Sequence, residues 1–224
     1  MREELIFQDP AADTPVMPWD EALHINSHGS RIFGRLLLPD FFDKESRCPV
    51  VLMLHGHPGG DKNLDIAAHL RAHGYAAVTF SYRGIWGSHG DYCLSHNIED
   101  VISVVAYLRE NADKYRIDPQ RVYLFGHSMG GFASLNALAT GLQVKKVFLL
   151  APCNICYRQL FEKEKLAGLT QTKDSGYYHL ERYTILEDEL NEHENDWYFP
   201  NLVERLPRRD PRQAHAGENG SSGL

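Results

Sequence analysis

The sequence lacks the features that mark nucleic-acid-binding and membrane proteins. Its 23 lysine and arginine residues form no long run and are outnumbered by 30 acidic residues, so the formal net charge is −7. A nucleic-acid partner is therefore not expected. No apolar stretch approaches the roughly 20 residues that span a bilayer, and the N-terminus lacks the basic start and apolar run of a signal peptide. We expect a cytoplasmic protein with no membrane partner.

Cysteine is also scarce. The chain has four cysteines, spread too thinly for a disulfide scaffold. Two of them, Cys153 and Cys156, form a C-x-x-C pair, which indicates a redox pair, half of a zinc site, or two ordinary thiols near the end of a strand. Ordinary thiols are favoured because no second C-x-x-C and no histidine at zinc-finger spacing follow. We expect neither a metal nor a cofactor.

What remains is the composition of one medium-sized domain. With 43% apolar and aromatic residues in 224, the chain can bury roughly 70% of its unfolded surface without a metal or disulfide. Residues 1–20 contain three prolines and show no periodicity, so we predict an irregular lead-in. The domain is predicted over residues 21–206. Residues 207–224 lack Val, Ile, Phe, Tyr, Trp and Met, which predicts a disordered tail.

Six apolar-rich runs predict the strands of a sheet. The first two, Glu21 to Ile25 and Arg31 to Leu38, are separated by turn residues and predict an antiparallel hairpin. The other four are nearly continuous apolar runs, as expected of strands that are covered on both faces: Val50 to Leu54, Ala76 to Phe80, Val122 to Phe125 and Val144 to Leu150.

Helical periodicity lies between these strands. Apolar residues from Ile98 to Leu108 recur at spacings of three and four, which predicts a helix with Asn97 as its N-cap. A second helix is predicted from Leu64 to Leu70, closed by Gly74. Strands that alternate with helices indicate an α/β fold, with a mostly parallel sheet and helices on both faces. Residues 151–199 show only weak helical periodicity and are interpreted as a lid or a peripheral helical excursion.

A G-x-S-x-G pattern, Gly126 to Gly130, lies between a predicted strand and a run of small residues that predicts a helix. A serine nucleophile on a sharp strand-to-helix turn needs glycines on either side, because bulkier side chains would collide with it. The helix N-terminus would also favour an anion formed there. A helix-capping serine is one alternative; a phosphate-binding loop is another, but no Walker A or Rossmann fingerprint is present. Ser128 is therefore the candidate catalytic nucleophile.

A glycine-rich loop, His55-Gly56-His57-Pro58-Gly59-Gly60, follows a neighbouring predicted strand. The carboxyl ends of parallel strands are where such sheets bind ligands. An oxyanion hole in this arrangement takes one N–H from the residue after the nucleophile, Met129, and one from this loop, for which we select His57. His55 and His57 are alternatively metal ligands. A backbone hydrogen bond from His55 is favoured because no carboxylate lies at ligand spacing.

Four motifs, in order along the chain, resemble those of the α/β-hydrolase superfamily, in particular its small esterases, acyl hydrolases and serine peptidases. They are Leu54 to Gly60, Ser81-Tyr82-Arg83-Gly84-x-x-Gly87-Ser88 against the family's R-G-x-G-x-S, Asp118-Pro119, and Gly126 to Gly131. The resemblance implies Ser128 as nucleophile, an oxyanion hole formed by the N–H groups of Met129 and His57, and hydrolysis of a small ester, amide or thioester through an acyl-enzyme. Arg83 and Ser88 are implied to be structural.

The resemblance also implies two further strands, which would carry the acid and the histidine of a catalytic triad. The histidines after Ser128 are His179, His193 and His215, and none follows a strand-like run. We therefore expect a member truncated near Leu206, with impaired activity. Asp210 and His215 are weak triad candidates, because they lie on the predicted tail. The alternative is a non-catalytic binding or scaffolding protein on the same fold. The pattern does not specify the substrate or the oligomeric state.

Overall fold

The computed structural model describes residues 19–40, 46–57, 59–60, 62–154, 189, 192–193 and 195–207. The predictions made for residues 1–18 of the lead-in, for most of the 151–199 excursion and for nearly all of the tail therefore lie outside the described residues. Trp19 and Asp20, predicted to belong to the irregular lead-in, instead begin the first strand. The same holds for Cys156, His179, Asp210 and His215.

Six strands form one mixed sheet within the described residues, in the order β1-β2-β4-β3-β5-β6. They are β1 (Trp19–Ser27), β2 (Ser30–Leu38), β3 (Cys48–Leu54), β4 (Ala76–Phe80), β5 (Ile117–His127) and β6 (Lys146–Leu150). The predicted hairpin is confirmed: β1 and β2 pair antiparallel, and β2 pairs antiparallel with β4. The remaining pairs, β3 with β4, β3 with β5 and β5 with β6, are parallel.

Helices connect and cover these strands. They are α1 (Leu64–Ala72), α2 (Leu94–Glu110), α3 (Ala112–Tyr115), α4 (Met129–Ala139) and α5 (Phe199–Arg205). As predicted, α1 is followed by Gly74, which has φ +85, a conformation that suits glycine. No helix among the described residues combines the length and the apolar character needed to cross a membrane.

The start of α2 differs from the prediction. The helix begins at Leu94, and Asn97 lies inside it, fully buried, with its side-chain amide donating to the Tyr92 hydroxyl at 3.2 Å. The first N–H groups of α2 instead reach a carboxylate from a distant part of the chain: Glu189 accepts from the backbone N–H of Leu94 and of Ser95, at 2.9 and 3.1 Å. The apolar periodicity correctly identified the buried face of α2. The N-terminus of the helix is capped instead by this tertiary contact with Glu189, which the periodicity does not report.

The core lies on both faces of the sheet, which confirms the predicted α/β architecture. Along β3, Val50, Leu52 and Leu54 belong to a large cluster that includes apolar residues of α2 and α4. The alternate residues Val51 and Met53 belong to a smaller cluster that includes residues of α1. This division follows from the period of two along a strand, which sends successive side chains to opposite faces.

Strand β6 is less buried than predicted. Its residues alternate between exposed and half-buried, and Phe148 and Leu150 are 60% and 42% exposed. The prediction of a strand covered on both faces is wrong here. In the described residues β6 is the last strand of the sheet, so it has a neighbouring strand only on the β5 side, where Phe148 stacks on Phe125.

Candidate active site

Ser128 lies at the junction between β5 and α4, in a backbone conformation that residues other than glycine rarely adopt. Its φ is 52° and its ψ is −114°. Hydrogen bonds hold the residue from both sides: its N–H donates to the Leu150 carbonyl at 3.0 Å, and its carbonyl accepts from the N–H groups of Gly131 and Cys153 at 2.9 and 2.8 Å. Strain of this kind persists only where the surroundings over-determine it, and it clusters at functional sites.

The glycines around Ser128 are required by the packing of α4 against the sheet. A Cβ atom at Gly126 would lie 2.6 Å from Ser134 Oγ and 2.7 Å from the Gly130 carbonyl oxygen. At Gly130 it would lie 2.0 Å from the carbonyl oxygen of Leu54, at the end of β3. The prediction attributed both glycines to the space around the serine. The structure adds that they let the first turn of α4 approach the strand ends.

The glycine-rich loop passes directly beside Ser128. A Cβ atom at Gly56 would lie 2.9 Å from Ser128 Cβ, so the loop backbone contacts the serine where it precedes His57. Met129 is the first residue of α4, and both His57 and Met129 are half-buried. The structure therefore brings Ser128, His57 and Met129 to the same edge of the sheet, as the sequence predicts. Burial also lowers the pKa of His57 from its ordinary value.

His55 supports the loop through a hydrogen bond to its backbone, which is the role that the sequence favoured over metal binding. Its Nδ1 donates to the Gly56 carbonyl at 2.8 Å, and only 2% of the residue is exposed. Its ring packs on that of Tyr82, with 4.7 Å between centroids. Burial lowers the pKa of His55 to about 4, so the imidazole is neutral at pH 7. Its Nε2 has no hydrogen-bond partner among the described residues.

Two residues beside this loop were missed by sequence reasoning. Trp86 has φ +49, and a Cβ atom at Gly59 would lie 2.9 Å from its indole nitrogen. The Lys62 ammonium lies 5.6 Å from the centroid of the Trp86 ring and 3.5 Å from the Gly59 carbonyl oxygen. One signal was available in the sequence: when the R-G-x-G-x-S pattern is laid on Arg83 to Ser88, its second glycine falls on Trp86.

Arg83 and Ser88 have the structural roles that the resemblance implies. The Arg83 side chain and backbone N–H both donate to the fully buried Asp100 carboxylate, each at 2.7 Å, and Ser27 Oγ donates to it at 2.6 Å. Ser88 Oγ donates to the Ser81 carbonyl at 2.8 Å and accepts from the Phe33 N–H at 3.0 Å. These bonds hold the segment after β4 against β2 and α2.

The described part of the chain offers one histidine–carboxylate pair after Ser128. His193 Nδ1 lies 3.8 Å from Asp196 Oδ2, and the His193 ring stacks on Trp197 at 4.4 Å. Trp197 packs edge-on against Phe132 of α4 at 5.1 Å, which links the pair to the helix that follows Ser128.

Cys153 is a free thiol whose pKa is raised by burial. Its backbone N–H, rather than its sulfur, supports the Ser128 carbonyl. The interpretation of the C-x-x-C pair stays a prediction, because Cys156 lies outside the described residues.

Comparisons with known proteins identify the family of the chain. The BD-FAE family matches residues 37–162, which is more than half of the chain. Liver carboxylesterase B-1 of Rattus norvegicus is 26% identical over 215 residues, which cover 87% of this chain and 37% of the relative. The chain thus spans well under half the length of that curated relative.

Solved structures show the same fold. The α/β hydrolase GrgF from Penicillium sp. sh18 matches with a TM-score of 0.54 and 21% identity, over 71% of this chain and 54% of that one. Est1E from Butyrivibrio proteoclasticus, with ferulic acid bound, matches with a TM-score of 0.52 and 23% identity, over 58% of this chain and 53% of that one. The chain belongs to the BD-FAE family and has the α/β-hydrolase fold.

Proposed function

We propose that the protein hydrolyses small carboxylic esters through an acyl-enzyme on Ser128. The observation that carries the proposal is the strained backbone of Ser128, φ 52° and ψ −114°, at a strand-to-helix turn. A helix-capping serine would have extended backbone and a side-chain bond to the helix, whereas Ser128 makes no side-chain cap bond. The turn instead presents the hydroxyl at the carboxyl edge of the sheet, the geometry of a serine nucleophile.

The chemistry follows from the groups around that turn. Ser128 Oγ attacks the ester carbonyl, and a base takes the hydroxyl proton. The backbone N–H groups of Met129 and His57 would stabilise the oxyanion of the tetrahedral intermediate; each such donor is typically worth about 3–4 kcal/mol at the transition state. Collapse of the intermediate expels the alcohol and leaves the acyl-enzyme. Water then attacks the acyl group and releases the acid.

We expect the proposed activity to be weak, because none of the three histidines after Ser128 (His179, His193 and His215) follows a strand-like run that would deliver a catalytic base to the serine. A serine hydroxyl without such a base is a poor nucleophile. Serine hydrolases that lose triad members still retain about 10³–10⁴-fold catalysis over water through the oxyanion hole and substrate binding. The same observation favours a second candidate, a non-catalytic binding or scaffolding protein on this fold.

A fluorophosphonate probe tests the proposal. Slow, stoichiometric labelling of Ser128, located by peptide mass spectrometry and absent from Ser128→Ala, is expected. The matched control is Ser46→Ala, because Ser46 is exposed and precedes β3 at the opposite end of the sheet; it should label like the wild type. If Ser128 is not labelled and Ser128→Ala still binds esters as well as the wild type does, the result would refute the hydrolase and support the non-catalytic binding protein. Rapid labelling would instead show that a working base is present and that the activity is not impaired.

A further inference from the structure

A cation without a described counter-ion lies beside the glycine-rich loop that follows β3. Lys62 is half-buried, and burial lowers the pKa of its ammonium group. Among the described residues it contacts the Gly59 carbonyl oxygen, at 3.5 Å, and the face of Trp86. Among the residues that the structure describes, none of the ion pairs includes Lys62. A partly desolvated ammonium gains more from an incoming anion than a fully hydrated one does.

Trp86 gives this lysine a fixed support. Its backbone is held at φ +49, which an L-residue rarely adopts. A Cβ atom at Gly60 would lie 3.6 Å from the six-membered part of the indole, and one at Gly59 only 2.9 Å from its nitrogen. The indole therefore lies against the glycine-rich loop, and its π face holds the ammonium by a cation–π contact.

Close contacts connect Lys62 to the serine. Gly56 lies against Ser128, and Gly59 lies against the His55 ring, because a Cβ atom at Gly59 would be 2.5 Å from His55 Cε1. Lys62 is also near enough to His55 for its positive charge to contribute to the lowered pKa of that imidazole, after the larger effect of burial. The ammonium thus acts on the same loop that would deliver the His57 N–H to the oxyanion.

We propose that Lys62, supported by Trp86, binds a carboxylate carried by the substrate, so that the site prefers monoanionic half-esters of dicarboxylic acids over neutral esters. The proposal rests on the proposed ester hydrolysis at Ser128. One compact ammonium matches the one negative charge that a half-ester carries and a neutral ester lacks.

Hydrolysis of two esters with the same leaving group tests the preference. For 4-nitrophenyl hemisuccinate, Lys62→Met is expected to lower kcat/KM about tenfold, the loss typical of one charge-assisted contact. For the neutral 4-nitrophenyl butyrate, the change should stay within about twofold. Lys146→Met is the matched control, because Lys146 is exposed and begins β6, at the opposite end of the sheet. An equal loss for both esters in Lys62→Met would overturn the inference.

Binding to Ser128→Ala separates this inference from the proposed function. By calorimetry, Ser128→Ala should bind monoethyl succinate at least about tenfold more tightly than diethyl succinate, and adding Lys62→Met should remove the difference. Charge-selective binding without hydrolysis by the wild type would refute the proposed function and keep the subsite. Hydrolysis of both esters without a charge preference would support the proposed function and refute the subsite. Failure of Ser128→Ala to bind monoethyl succinate would overturn the subsite directly.

Discussion

Replacing Ser128 by glycine is expected to stabilise the fold while removing the proposed nucleophile. Ser128 is held at φ 52° and ψ −114°, and a non-glycine residue in such a region costs about 1–3 kcal/mol of folding free energy. Glycine adopts this conformation without that cost. It loses more chain entropy on folding, which offsets about 0.5–1 kcal/mol of the gain. The net effect of Ser128→Gly is therefore a rise of about 1 kcal/mol in the free energy of unfolding.

Ser128→Ala is the matched control, because it removes the hydroxyl but keeps the Cβ atom and hence the strain. Urea unfolding, followed by circular dichroism, should place the glycine variant about 1 kcal/mol above the alanine variant. For a chain of this size the melting temperature should be about 2–4 °C higher. If the two variants are equally stable, the backbone at Ser128 is not strained, and the main structural argument for its role is refuted.

Two further predictions concern buried charge and pH. Asp100→Ala should lower the free energy of unfolding by about 3 kcal/mol, because it removes the buried carboxylate that accepts from the Arg83 side chain, the Arg83 N–H and Ser27 Oγ, and leaves buried Arg83 with only the more exposed Glu99 as an ion-pair partner among the described residues. Asp118→Ala breaks a more exposed pair with Arg121 and should cost less than about 1 kcal/mol in the same urea titration; equal losses would contradict this account. The second prediction concerns His55, whose pKa falls to about 4 in the folded protein, so the unfolded chain takes up its proton first as the pH falls. The neutral imidazole therefore contributes about 3 kcal/mol to the free energy of unfolding above about pH 6.5, and this contribution is lost as the pH falls towards 4. His55→Gln should flatten this part of the profile of unfolding free energy against pH, and an unchanged slope would refute the assignment.

Local patterns were sufficient wherever the structural cause is local. The hairpin, the parallel strands and helix α1 were predicted because side-chain periodicity reports which face of an element is buried. Ser128, His57 and Met129 were predicted to lie at one edge of the sheet because parallel strands align their carboxyl ends. The structure places all three there, and their chemical roles stay proposals.

Contacts between distant segments decided the rest. Helix α2 begins three residues before the predicted N-cap, Asn97, because the carboxylate of Glu189, 95 residues after Leu94, satisfies its first N–H groups. Strand β6 has an apolar sequence like that of the central strands, but its exposure is set by its position in the sheet.

The pairing of Lys62 with Trp86 is a third case of this kind. Lys62 lies on the loop after β3 and Trp86 on the loop after β4. Neither the glycine-rich motif nor the R-G-x-G-x-S motif predicts that the two side chains meet. The sequence by itself determined which elements form and which serine lies at the sheet edge, because those depend on periodicity and on turn chemistry within a few residues. The tertiary structure alone decided which charges and rings surround that serine, because such contacts join loops that only the folded sheet brings together.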